Sequence, residues 1–295
     1  MKNYVSIDIG GTAIKYGLIN ENGTILERRE MDTEARKGGR AILNKAVGIV
    51  NAYVREGQIS GICISTAGMV DVEEGKIFYA GPQIPDYAGI CFKDVMEDTF
   101  HIPCEAENDV NCAGLAESVS GAAKGSSSSL TLTVGTGIGG CAVINGQVYR
   151  GFGGSACEVG YMHMNGSSFQ ALGATSSLTR RTAERKGDPV SAWNGRRVFE
   201  EAKRGDSICN QTIQEMVDAL GMGIANICYV LNPEVVVLGG GVMAQENFLR
   251  EKIQKAVRRY LVPGIEEKTR IAFAQHRNDA GMLGAYYHFR GRHQE

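Results

Sequence analysis

Two short runs of this chain combine groups that could handle an anionic ligand. Asp8-Ile9-Gly10-Gly11-Thr12 sets a carboxylate just ahead of a Gly-Gly-Thr turn, and Val134-Gly135-Thr136-Gly137-Ile138-Gly139-Gly140 supplies a second Gly/Thr turn. Glycines let backbone N–H groups approach an anion with no Cβ in the way, and threonine hydroxyls add donors. Either turn taken singly reads equally well as a plain hairpin. Gly239-Gly240-Gly241 follows the apolar run Val235 to Leu238 and either borders a flat ring and ribose or turns a strand tightly into a helix. Glu107-Asn108-Asp109 precedes a helical pattern. Asp109 there is a first-turn acid favoured by the helix dipole, with Asn108 as N-cap, or a general base that accepts a proton from a hydroxyl attacking phosphorus.

The elements around these groups repeat. Tyr4 to Ile9, Ile14 to Ile19 and Thr24 to Glu27 read as three strands joined by Gly10-Gly11-Thr12 and Glu21-Asn22-Gly23. The plan recurs in Leu130 to Val134, Gly140 to Ile144 and Gln147 to Tyr149, joined by the turn from Gly135 to Gly139 and by Asn145-Gly146. Duplication implies two related half-domains facing each other across a cleft, with two loops able to grip one polyphosphate. Both Gly/Thr turns lead into strands, whereas a dinucleotide-binding Rossmann fingerprint leads into a helix, and no Gly-Lys-Ser/Thr closes a Walker A loop.

Between and after the repeats, strands alternate with helices. Arg40 to Glu56, Phe92 to Thr99, Asp109 to Ser120, Ser207 to Leu231, Gln245 to Tyr260 and Ala280 to Phe289 read as helices. Ile59 to Ser65, Pro103 to Ala106, Val235 to Leu238 and Ile271 to Ala274 read as extended segments, and Ala67-Gly68 as a turn. The long helix stops ahead of Asn232-Pro233, because the residue before proline leaves the helical region. An all-apolar strand between helices indicates a sheet covered on both faces, so the fold class is α/β. Lys124 to Ser129 is a Gly/Ser loop suited to a domain junction.

Composition narrows the function classes. A chain of 295 residues with 43% hydrophobic content can fill two cores, and a net charge of −2 without a basic stripe gives no footprint for nucleic acid. There is no signal-peptide pattern and no apolar run of membrane-spanning length, which reads as a cytoplasmic protein. The eight cysteines contain no CxxC, and several sit in apolar segments as reduced core thiols.

Taken together, Asp8 to Thr12, Glu107 to Asn111, Val134 to Gly140, Glu158-Val159-Gly160 and Leu238 to Gly241 resemble the ROK family of repressors, open reading frames and kinases. The resemblance covers nearly the whole chain. It implies the two-domain actin-like (ribonuclease H-like) ATPase fold with a duplicated βββαβα core and an interdomain cleft. The expected domains are residues 1–112 plus 278–295, with the last helix returning to the first domain, and residues 113–277. It further implies an ATP-dependent sugar kinase in which Asp8, Gly10, Gly11, Thr12 and Lys15 face the transferred phosphoryl group and Asp8 holds Mg2+ through water. Gly135, Thr136 and Gly137 form the second phosphate loop, and Gly239, Gly240 and Gly241 border the adenosine. Asp109 is the implied catalytic base, with Gly68, Asn108 and Glu158 on the sugar, and a homodimer is expected.

Departures from the family pattern refine these expectations. Zinc-containing members carry Gly-His and a cysteine cluster after the glutamate; here Gly160 precedes Tyr161 and Asn165 to Leu178 has no cysteine, so zinc is not expected and His163 is read as a packed or surface residue. Glu158-Val159-Gly160-Tyr161-Met162 is similar to bacterial beta-glucoside kinases, which phosphorylate a 6-hydroxyl on glucose units such as that of cellobiose, with Tyr161 stacking on a sugar face. Glucose, N-acetylmannosamine or another hexose stands as an alternative substrate, and a non-catalytic sugar-sensing regulator as an alternative class.

Overall fold

A computed structural model describes residues 2–293. The chain forms two compact units. The first runs from the N-terminus through Val119, regains Arg150–Ala156, and ends with the segment from Asn278 onward; the second holds Ser120–Tyr149 and Cys157–Arg277.

In the first unit the elements are β1 (Asn3–Ile9), β2 (Ala13–Asn20), β3 (Ile25–Asp32), α1 (Gly39–Glu56), β4 (Gly61–Thr66), a small hairpin of β5 (Met69–Asp71) and β6 (Lys76–Tyr79), α2 (Phe92–Phe100), β7 (Cys104–Asn108) and α3 (Asp109–Ser120). The sheet order is β3-β2-β1-β4-β7. β1 runs antiparallel to β2 but parallel to β4, which is parallel to β7. Every residue of β4 is buried. Ile62 and Ile64 join the core shared with Ile42, Ala46 and Phe92, while Cys63 enters a separate cluster on the other face. Such burial on both faces suits the apolar centre Ile62-Cys63-Ile64 of the strand. β3 runs to Asp32, past the Glu27 limit read from the sequence, because its polar pattern lies on a sheet edge where pairing with β2 decides the length.

The second unit repeats the plan. Its elements are β8 (Ser128–Val134), β9 (Ile138–Ile144), β10 (Gln147–Val148), a short pair of β11 (His163–Met164) and β12 (Ser167–Ser168), α4 (Phe169–Gly173), α5 (Thr175–Lys186), α6 (Gly195–Lys203), α7 (Ser207–Leu231), β13 (Val235–Gly239), α8 (Glu246–Arg258), α9 (Pro263–Glu266) and β14 (Arg270–Phe273). The order β10-β9-β8-β13-β14 reproduces that of the first sheet, with β8 antiparallel to β9 and parallel to β13. β9 begins at Ile138, so the turn is confined to Gly135, Thr136 and Gly137 and Gly139 lies in a strand. α7 has the predicted bounds: Asp206 caps its start by accepting from Cys209 N at 2.9 Å, and Asn232 ends it with φ of 44°. Helices α4 to α6 have no counterpart in the sequence reading. α5 and α6 are strongly polar outside their buried stripes, and α4 is too short for a period to emerge.

The last helix, α10 (Ala280–Arg292), belongs to the first unit and is buried along most of its length. Glycines let it lie almost on the sheet: a methyl group built on Gly284 would fall 1.8 Å from Cys112 O, and one on Gly61 would meet the Phe289 ring at 2.3 Å. Ser6 Oγ donates to Met282 O at 2.7 Å. Cys112 and Ala116 of α3 share a core cluster with Met282, Ala285 and Phe289. This packing keeps α3 with the first unit, so the first segment extends to Val119, whereas the sequence reading ends it at residue 112.

Candidate functional site

Strand register assembles the first half of the site. At one level of the first sheet Lys15 lies opposite Asp8, Asp8 beside Ser65, and Ser65 beside Glu107. Ser65 Oγ donates to Asp8 Oδ1 at 2.7 Å, and Lys15 Nζ stands 3.9 Å from Oδ2. Burial pushes the Asp8 carboxyl above its ordinary range, with Ser65 and Lys15 pulling it partly back. The start of α10 presses on this group, for a methyl on Gly281 would lie 2.3 Å from Asp8 Oδ1. Just beyond, Gly10-Gly11-Thr12 is braced by Thr33, whose Oγ1 donates to Gly10 O at 2.7 Å and whose N–H donates to Thr12 O at 2.9 Å. A methyl on Gly11 would meet nothing within 4 Å, so the protein's own packing does not require glycine there. The corresponding register position of the second sheet is Thr133 opposite Gly139, so only the first loop carries a carboxylate. One carboxylate joined by ligand phosphates and waters fits Mg2+, which rarely takes an all-protein cage.

Asp109 stands where β7 meets α3. Asn108 is the N-cap: its Oδ1 accepts from Val110 N at 2.9 Å and Asn111 N at 3.0 Å. Its Nδ2 donates to Gly68 O at 2.8 Å and to Asp109 Oδ1 at 3.1 Å, and Val110 N also donates to Asp109 Oδ1 at 2.9 Å. The cap therefore fixes the carboxylate and ties it to the Ala67-Gly68 turn. Gly68 sits at φ 97°, and a methyl on it would fall 2.9 Å from Tyr79 O, so both conformation and space demand glycine.

Behind Asp109 lies a charged core that the sequence gives no sign of. Glu107 is 1% exposed. Its Oε1 accepts from Asn108 N at 2.8 Å and Asn111 Nδ2 at 3.0 Å, and its Oε2 from Arg150 Nε at 2.8 Å and Nη2 at 2.6 Å. His288 of α10 places Nδ1 3.4 Å from Arg150 Nη2, and burial lowers its basicity. Arg150 opens the segment that rejoins the first unit, and nothing local in sequence marks a partner this distant.

The second unit contains a cavity of about 680 Å³ lined by Gly135, Thr136, Thr175, Ser176, Thr179, Trp193, Asn194, Gly195, Arg196, Phe199, Gly241, Val242, Ala244 and Gln245. Thr175 N donates to Gly135 O at 2.9 Å and Ser176 Oγ to Thr136 O at 2.5 Å, so the start of α5 holds the Gly/Thr turn. Thr175 lines the cavity, but its hydroxyl is buried and finds no partner of its own. Trp193 and Phe199 supply an aromatic wall; Trp193 Nε1 donates to Asp188 Oδ2 at 2.9 Å, and the Arg197 guanidinium lies 4.3 Å over its ring. Of the candidate glycines, Gly135 and Gly241 face open space, while Gly240 is fixed by φ of 96° and by Val134 O, 2.3 Å from any added methyl. Gly239 ends β13 inside the sheet, and Gly137 faces Gln170 Oε1. Trp193 and Asn194, which caps α6 by accepting from Arg197 N, were absent from the sequence reading although a single tryptophan beside an Asn cap was visible.

Glu158 is half-buried in the same unit, and desolvation alone pushes its carboxyl above the usual value. Gly160 packs on the second loop, for a methyl there would lie 2.2 Å from Ile138 O. Tyr161 is 52% exposed, and His163 is exposed on β11. Among the described residues no group of three or more His, Cys, Asp or Glu is arranged to hold a metal, the eight cysteines are free thiols, and no helix is long and apolar enough to cross a membrane.

A duplicated sheet of this order, with a carboxylate-bearing glycine turn in one copy and a glycine-lined cavity in the other, defines a two-unit α/β protein. The ROK family model matches residues 4–292, and this chain belongs to that family. Over 287 residues it is 50% identical to an uncharacterized protein of Clostridium perfringens, covering 97% of each chain. It is 31% identical to a beta-glucoside kinase of Klebsiella pneumoniae, covering 96% of this chain and 95% of the relative. A ROK family glucokinase from Streptomyces griseus, solved with glucose and AMPPNP, superposes with a TM-score of 0.84 at 26% identity over 96% of this chain and 97% of that one. The fold is thus the actin-like fold of the ROK sugar kinases, as the family resemblance implied.

Proposed function

We propose that this chain is an ATP-dependent carbohydrate kinase that transfers the γ-phosphoryl group to a sugar hydroxyl. The observation that carries the reading is the Asp109 carboxylate, one oxygen of which is held by Val110 N and Asn108 Nδ2 beside the Gly68 carbonyl. A base so fixed is pre-oriented toward an incoming hydroxyl, and positioning supplies much of phosphoryl-transfer catalysis. Asn108 spends both amide hydrogens on Gly68 and Asp109, so its part is to organise the site around the sugar. Adenosine would occupy the cavity walled by Trp193, Phe199 and Gly241. Gly135, Thr136 and Gly137 would serve the phosphates in the second unit, and Gly10, Gly11, Thr12 and Lys15 in the first. Asp8 would hold Mg2+ through water, and the bound ion would neutralise charge on the β- and γ-phosphates. Glu158, desolvated without a compensating charge, would accept sugar hydroxyls, with Tyr161 beside it.

For the acceptor we infer a glucose unit phosphorylated at its 6-hydroxyl, carried by a beta-glucoside. Support comes from the Klebsiella relative, alike over nearly the whole chain, and from the Glu158 to Met162 sequence without zinc-ligand cysteines. The test is ADP release from ATP and Mg2+ across glucose, N-acetylmannosamine, fructose, cellobiose and gentiobiose. Turnover with the beta-linked disaccharides supports this acceptor, and turnover with the amino sugar alone replaces it. Silence across the panel, with sugar binding retained, would make the chain a sensor and refute the kinase reading.

A further inference from the structure

Three aromatic side chains in the first unit stand exposed on two neighbouring pieces of chain: Phe78 at 44%, Tyr79 at 47% and Phe152 fully in solvent. Phe78 and Tyr79 end β6, whose partner β5 starts directly after Gly68, and Tyr79 is paired with Met69. Phe152 lies in Arg150-Gly151-Phe152-Gly153-Gly154, held at one end by the Arg150–Glu107 ion pair. The far end of that loop packs on the hairpin, since a methyl on Gly154 would be 3.5 Å from Phe78 Cε1. Both pieces are thus anchored to the groups that fix Asp109: the hairpin through Gly68 O and Asn108, the loop through Glu107. Aromatic faces left in water beside a polar site mark a place where a ligand covers them.

We propose that Phe152, with Phe78 and Tyr79, forms a platform for the second ring of an oligosaccharide acceptor whose first ring is phosphorylated at Asp109. The proposal rests on the kinase reading above and names what that site takes: a saccharide of two or more pyranose rings. A pyranose ring offers an apolar face of C–H bonds that matches an aromatic face, and its hydroxyl edge can stay in water. A monosaccharide would leave the platform bare.

Steady-state kcat/KM with cellobiose and with glucose, in the wild type, Phe152→Ala and Phe152→Tyr, tests this. The exposed position makes both variants compatible with the fold, which circular dichroism verifies. The cellobiose-to-glucose ratio should fall about five-fold or more in Phe152→Ala and by less than that in Phe152→Tyr, which keeps the stacking face. A smaller fall in Phe152→Ala, an equal fall in Phe152→Tyr, or a wild type that phosphorylates glucose but no disaccharide overturns the platform. A wild type that phosphorylates only the amino sugar also overturns the platform, and one that phosphorylates no sugar of the panel above overturns the kinase reading itself.

Discussion

Replacing Arg150 with alanine isolates the buried charge behind Asp109. Glu107 is almost fully buried and receives two nitrogens of Arg150 on Oε2. Removing one partner of a buried pair costs roughly 3–5 kcal/mol, because the other charge is left uncompensated. Arg150 is 28% exposed, so water can reach the vacated space, and a cost near the lower end, about 3 kcal/mol, is expected. For a unit of this size that is a fall in melting temperature of about 10 °C. Glu107→Gln keeps an acceptor for Asn108 N and Asn111 Nδ2, so the double variant Glu107→Gln/Arg150→Met should recover most of the loss. His288 adds a pH signature: burial keeps its imidazole basicity low in the parent, but without Arg150 the neighbouring carboxylate, 3.9 Å away, would raise it. A histidine with a raised folded-state pKa adds stability at low pH that fades as pH rises, so the deficit of Arg150→Ala should be smaller near pH 5.5 than near pH 8. Thermal and urea unfolding of the three proteins at both pH values measure this. An Arg150→Ala cost below about 1 kcal/mol, or a double variant no better than the single, would refute the reasoning.

Three further outcomes follow from the site. Asp109→Asn should lower turnover by about two to four orders of magnitude with folding intact, and near-normal ADP release would remove Asp109 as the base. Gly135→Ala and Gly241→Ala should raise the KM for ATP with little change in melting temperature, since both face open space, whereas Gly240→Ala should destabilise the fold through its φ of 96° and the Val134 carbonyl; equal melting shifts in all three would contradict that division. Burial raises the Glu158 carboxyl, so its ionised form costs the folded state increasingly as pH rises through that raised pKa. Glu158→Gln should therefore melt higher than the parent near pH 8 in the absence of sugar, with the gain shrinking toward pH 4.5, and a gain independent of pH would count against it.

The sequence by itself determined the repeated strands, the glycine turns, α7 with its Asn-Pro stop, and Asp109 at a helix start. These depend on period, turn chemistry and capping, which act between residues a few positions apart. The same local view left two readings of each glycine turn and of Asp109. Tertiary structure decided the rest by pairing distant segments: strand register brought Lys15 and Ser65 to Asp8, α10 returned to press Gly281 on that carboxylate, and Arg150 came back to Glu107. It also sorted the glycines, since only the surroundings tell Gly240, which the fold requires, from Gly11, Gly135 and Gly241, which it does not. Local pattern carries the energies of turns and caps. Which polar groups share a buried level is fixed by packing across the whole chain, and that information is spread over too many positions to be read from any one of them.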